Sequence, residues 1–136
     1  MVHHRPDFDQ FLKVLTRRGK PAYLPFYEHL ASMGFMVRRL GKPLDRMWGT
    51  REGWQAYVDF WLGMGFDGVP IEIPLYCPLP QGHGQTSEES EAKVCIRNWA
   101  DYEAYPWPSE DAPLDFAPYE LVASLLPDGA QLVAGV

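Results

Sequence analysis

Residues 67–77 read DGVPIEIPLYC. From Val69 to Cys77 the run is apolar except for Glu72, and polar and apolar positions do not alternate. A strand with one wet face alternates; a strand covered on both faces reads as a continuous apolar run, the pattern of a parallel sheet. The stretch is therefore expected to be a buried parallel strand, and such a strand needs helical crossovers on either side of it.

Those helices are legible. Upstream, Thr50 caps REGWQAYVDFWLGMG, in which Trp54, Tyr57, Val58, Trp61 and Leu62 trace one face before Gly63 and Gly65 end it. This stripe reads as core packing. Before it, SMGFMVRRLGKPLDRMWG reads as a short helix over Phe35–Leu40 and then a loop, and AYLPFYEHL (Ala22–Leu30) as a strand, despite Pro25. At the start, DFDQFLKVLTRR (7–18) carries Phe8, Phe11, Leu12 and Leu15 on one helical stripe. Asp7 and Gln10 have capping-box spacing, Arg17 and Arg18 suit the helix end, and Gly19 and Pro21 stop it.

Downstream comes a polar loop, QGHGQTSEESEA, then KVCIRN as a short strand, then WADYEAY as a turn of helix capped by Asn98 with Asp101 at its third position. A proline- and aromatic-rich excursion runs to Pro118, which opens the helix PYELVASLL. PDGA turns the chain and QLVAGV begins a strand. The order of helices and strands implies right-handed crossovers and an α/β fold with a parallel sheet. The sequence stops inside an apolar strand, and three parallel strands apolar on both faces make a poor independent domain. Residues 1–136 are expected to form a single incomplete domain, the front part of a longer α/β protein.

Composition narrows the function. With 46% apolar and 22% charged residues the chain can bury a core. A net charge of −6, with basic residues no denser than the pairs Arg17-Arg18 and Arg38-Arg39, argues against nucleic acid as a partner. No run approaches a membrane span and MVHHRPDFDQ is not a signal peptide, so the expected location is the cytoplasm, with Cys77 and Cys95 reduced; a disulfide between them is the competing reading.

No GxGxxG, Walker loop, GxSxG or HExxH is present. Cys77, His83 and Cys95 match no common zinc spacing and lack a fourth ligand, so no metal site is assigned. His3 and His4 read as solvated residues of a terminus. Glu28 and His29 end the first expected strand and Glu72 lies in the second. In parallel α/β folds, ligands bind beyond the carboxyl ends of the strands. The competing reading of Glu72 is a carboxylate paired with Arg97 or exposed at a sheet rim.

Three stretches, RPDFDQFLKVLTRRGKPAYLPFYEHL, YVDFWLGMGFDGVPI and DYEAYPWPSEDAPLDFAPYELVASLLPDGAQLVAG, resemble the uroporphyrinogen decarboxylase superfamily. The DYEAYPWP run followed by a helix and LPDG is the most specific part and is similar to the branch related to corrinoid-dependent methyltransferases. The resemblance implies a TIM (β/α)8 barrel. A whole barrel takes about 250 residues, so the chain would supply about three βα units of it, a partial barrel with an inserted proline/aromatic-rich excursion.

Two chemistries follow from the resemblance. Tetrapyrrole decarboxylases hold substrate carboxylates with an arginine-rich loop after the first strand and use an aspartate at the second. Here the matching segments read EHLASMGF, without arginine, and IEIP, with Pro74 in place of the aspartate. The methyltransferases activate a thiol on zinc and exchange a methyl group with a corrinoid, with ligands in the later part of the barrel. The expectation is thus methyl transfer by the full-length enzyme, on a small-molecule substrate and with a corrinoid protein as partner. Zinc and corrinoid would belong to that whole enzyme, with no cofactor bound by this segment and no activity of its own. Glu28, His29, Glu72 and Tyr76 would contact substrate at the barrel mouth. Tyr105 and Trp107 are expected to pack against neighbouring helices. The alternatives are a uroporphyrinogen decarboxylase, and a non-catalytic module displaying YPWPSEDAP as an extended ligand.

Overall fold

A computed structural model describes residues 4–72, 96–109, 111 and 115–135. In chain order its elements are α1 (Phe8–Thr16), α2 (Met33–Leu40), α3 (Leu44–Met47), α4 (Arg51–Gly63), β1 (Gly68–Glu72), α5 (Trp99–Ala104), α6 (Ala117–Ala123) and β2 (Gln131–Gly135). The chain gathers into two compact units, Met1–Ile73 with Asp115–Val136, and Pro74–Leu114.

In the first unit, α4 organises the core. Thr50 Oγ1 accepts the Gly53 N–H at 3.0 Å, the cap expected from the sequence. Trp54, Tyr57, Val58 and Trp61 are buried as the stripe requires, and Ala56 and Phe60 widen it. Against this face lie Met36 of α2, Leu44 of α3, Val69 and Ile71 of β1 and Val122 of α6. Each such large side chain contributes about 1.5–3 kcal/mol when taken fully out of water, so one wide α4 face is the main source of stability. α3 falls where a loop was expected: Leu44 is fully buried and draws the KPLDRM segment into a turn of helix.

β1 and β2 pair in parallel, Gly68 opposite Gln131 and Glu72 opposite Gly135. The Gln131 N–H donates to the Asp67 carbonyl at 3.1 Å, which sets the alternation along the ladder. Val69 and Ile71 turn their backbone groups toward β2, while those of Gly68, Pro70 and Glu72 face away from it. The parallel pair with α6 between its strands in sequence is the arrangement expected of the two apolar runs. Residues 73–77 of the first run, and Lys93–Cys95 of KVCIRN, lie outside the described residues; Ile96–Asn98 are in neither helix nor strand.

The strand expected over Ala22–Leu30 does not form; these residues are in neither helix nor strand. The segment nevertheless packs beside the approach to β1. The Tyr23 hydroxyl donates to Asp67 Oδ1, just before β1, at 2.9 Å, and the Phe26 ring meets Phe66 at 6.4 Å. It fails to pair for a local reason. On the edge of β1 turned away from β2, Pro70 has no N–H to give, and its carbonyl already accepts the Tyr57 hydroxyl at 2.8 Å. Pro25 removes a donor from the other side.

At α1 the expected capping box takes another form. The Asp7 side chain makes no backbone cap; its Oδ2 accepts Gln10 Nε2 at 2.7 Å instead. Buried Gln10 then accepts the Ala22 N–H at 2.8 Å through Oε1, tying the irregular segment to the helix. α1 ends earlier than expected, at Arg17, which takes a left-handed φ of 55°.

The described part of the second unit is α5 and the chain after it. Asn98 Oδ1 accepts the Asp101 N–H at 3.0 Å, as the sequence suggested. The expected burial of the aromatics here is overturned for Trp107, which is 48% exposed; Tyr105 is half-buried. Their rings pack on one another: Tyr105 and Trp107 have centroids 4.6 Å apart. An apolar side chain records a gain on burial but not which partner supplies it, and here the partner is the neighbouring ring.

Candidate functional site

The candidate site lies at the carboxyl end of the parallel pair. Glu72 is the last residue of β1 and is exposed, while the strand before it is buried. Its stem leans over Gly135, its ladder partner on β2: a Cβ at Gly135 would come within 2.9 Å of Glu72 Cγ and 3.2 Å of Oε1. The missing side chain at Gly135 is thus what lets Glu72 lie across the strand end. Beside it, the Tyr119 hydroxyl of α6 donates to the Gly135 carbonyl at 2.7 Å.

The Tyr27 phenol feels the charge of a carboxylate of the irregular segment and of one at the end of β1. It is pushed above the usual range, first by desolvation, then by the negative charge of Glu72 and then by that of Glu28. Tyr57 is shifted the same way. Burial dominates and the charge of Glu72 adds to it, while the nearby Trp61 indole N–H, which is not in hydrogen-bonding geometry with any partner, partly offsets them. Both phenols therefore stay protonated well past neutral pH, and that of Tyr57 donates to the Pro70 carbonyl at 2.8 Å.

The expected site residues divide accordingly. Glu72 stands exposed at the end of β1, and Glu28 is exposed in the irregular segment, where its Oε1 accepts the His29 N–H. His29 is half exposed, with Nδ1 3.8 Å from Glu28 Oε1, and its backbone N–H donates to the same oxygen at 3.0 Å. Tyr76, and with it Cys77, His83 and Cys95, lies outside the described residues. Among the described residues no group of three or more His, Cys, Asp or Glu side chains could hold a metal ion. Glu28, His29 and Glu72 form no such group.

No protein-family model, curated protein or solved structure matches this chain. The site therefore rests on its own geometry. Sequence reasoning missed Tyr27, Tyr57 and Tyr119. Tyr57 was hidden inside a helical stripe that was correctly read as core. Tyr27 had one usable signal, its place next to Glu28 at the end of an apolar run.

A second polar cluster sits at the opposite end of β1. Asp67 is buried, and its Oδ1 accepts the Asp7 N–H at 2.9 Å and the Tyr23 hydroxyl at 2.9 Å, with His4 Nε2 at 2.7 Å. His4 is thus held against the fold and is not a solvated terminal residue. The Tyr23 phenol is pushed above its ordinary range, first by burial and then by its hydrogen bond to Asp67. Here Asp67 clamps the start of the chain to the sheet. Among the described residues no helix is long and apolar enough to cross a membrane.

Proposed function

We propose that the chain provides the substrate-facing rim of a cytoplasmic βα-barrel enzyme of the uroporphyrinogen decarboxylase superfamily, in its corrinoid methyltransferase-related branch. The observation that carries this reading is Glu72, exposed at the carboxyl end of the otherwise buried β1 and lying across Gly135 of the parallel partner strand. Ligands of parallel α/β enzymes bind at that end. The parallel β1–α6–β2 unit supports the barrel. The lack of an arginine in EHLASMGF and the presence of Pro74 favour methyl transfer over tetrapyrrole decarboxylation.

In this reading Glu28 and Glu72 accept hydrogen bonds from a small polar substrate and Tyr27 donates one. The methyl group travels between that substrate and a corrinoid protein, with zinc and thiol chemistry supplied by later parts of the full-length enzyme. The test is to incubate the full-length protein with methylcobalamin and a thiol acceptor and follow loss of the cobalt–carbon absorbance, beside a parallel incubation with uroporphyrinogen. Demethylation that falls at least tenfold in Glu72→Gln supports the assignment. Carboxylate loss from uroporphyrinogen would replace it with the decarboxylase, and inertness toward both would sink both readings.

A further inference from the structure

The second unit carries a row of aromatic rings that face solvent. Trp99 and Tyr102 stack at 4.9 Å with ring planes 19° apart. Tyr102 meets Trp107 at 5.0 Å, and Trp107 meets Tyr105 at 4.6 Å. Trp99 is 69% exposed and Tyr102 43%. Isolated exposed rings are ordinary, but a contiguous exposed set marks an interaction surface.

Local bonds fix the row. The Trp99 indole N–H donates to Glu103 Oε1 at 2.9 Å, and the Trp107 indole N–H to the Tyr102 carbonyl at 2.9 Å. Asp101 accepts the Arg97 N–H at 2.9 Å through Oδ2 and so pins the start of α5. Both indole N–H groups are thereby engaged at the ring edges. Stacking covers the inner faces of Trp99 and Tyr102; what the row still offers is its outward ring surface, above all that of Trp99, which attracts cations through the quadrupole of the π system.

The charge around them is mainly acidic. Among the described residues 96–109 and 111, the acids Asp101, Glu103 and Asp111 outnumber the single base, Arg97. The bond to Trp99 holds the Glu103 carboxylate beside the platform. The rings also form a succession and not a ring of walls around one point. A small quaternary ammonium needs a converging cage, whereas a row gives an extended chain successive places to rest.

We propose that the Trp99–Tyr102–Trp107 row is a docking platform for a basic, arginine-bearing segment of a partner protein. Guanidinium planes lie flat on the exposed indole and phenol faces, and Glu103 with its acidic neighbours supplies the complementary charge.

The experiment titrates the intact protein with a labelled peptide of alternating arginine and glycine, with the same peptide bearing glutamine in place of arginine, and with tetramethylammonium chloride. Saturable binding of the arginine peptide alone is expected, with quenching of tryptophan fluorescence and weakening at higher salt. Trp99→Ala and Trp107→Ala should each lower the affinity about three- to tenfold. Trp99→Ala changes a mostly exposed side chain, so it keeps the test valid if Trp107→Ala disturbs the loop. Affinity unchanged in both variants, equal binding of the glutamine peptide, or no saturable binding would overturn the proposal. Preference for tetramethylammonium over the peptide would overturn it too, in favour of a small-cation site.

Discussion

The Tyr57 hydroxyl donates to the Pro70 carbonyl at 2.8 Å, so a core helix closes the open edge of a strand. Proline and tyrosine cooperate here. The proline withholds a donor and the tyrosine takes the acceptor beside it, leaving little for a neighbouring strand to pair with. Tyr57→Phe should keep the packing but leave a buried carbonyl unpaired, costing about 1–2 kcal/mol. Urea denaturation of both proteins measures the difference, and equal midpoints would mean that water reaches that carbonyl.

Gly129 and Gly19 offer a paired test of backbone freedom against space. Both have positive φ, 87° and 90°. A Cβ at Gly129 would also lie 2.1 Å from the Pro6 carbonyl oxygen, while at Gly19 it would meet nothing within 4 Å. Gly19→Ala should cost about 1 kcal/mol, the left-handed penalty alone. Gly129→Ala should cost about 3 kcal/mol or more, since backbone must move as well. Similar losses in thermal melts would show that the start of the chain yields easily.

Arg17 bears a left-handed φ of 55° at the end of α1, at an exposed position. Arg17→Gly should therefore stabilise the protein by about 0.5–1 kcal/mol, strain relieved outweighing the extra freedom of the unfolded chain. A drop in melting temperature would show instead that the arginine side chain holds the helix end.

The phenols of Tyr23, Tyr27 and Tyr57 set an alkaline limit. Each keeps its proton in the folded state above the ordinary value of 10.0, while the unfolded chain releases it there. Their contribution is fully present below pH 10 and is lost as the pH rises beyond it. Stability should be level from neutral pH to about 9.5 and fall above that. Tyr23→Phe should flatten part of the fall. Ultraviolet titration should find late-titrating phenols, and Glu72→Gln should bring Tyr27 back toward its usual range without abolishing the shift, since burial is its larger cause.

The features that read clearly from sequence are those a single element decides for itself. Thr50, the stripe through Trp54 and Trp61, Asn98 with Asp101, and the two apolar strands all carry their own signals. The segment over Ala22–Leu30 does not, because whether it pairs depends on Pro70 and Tyr57, which are remote in sequence. Likewise, Glu72 could be singled out by its apolar neighbours, but Tyr27 joins it only through the path of the irregular segment. The clamp on Asp67 left no sequence signature at all; an aspartate before a glycine looks like any turn residue.

The Phe8 N–H donates to the Gly129 carbonyl at 2.8 Å, and the Asp7 N–H to Asp67 at 2.9 Å. α1 is thus anchored to a turn more than a hundred residues further along the chain. During synthesis α1 emerges well before its docking site, and Phe8 is without that partner until the PDGA turn arrives. Translation and docking are separated in time at this helix: it is made early and seated only when the turn exists.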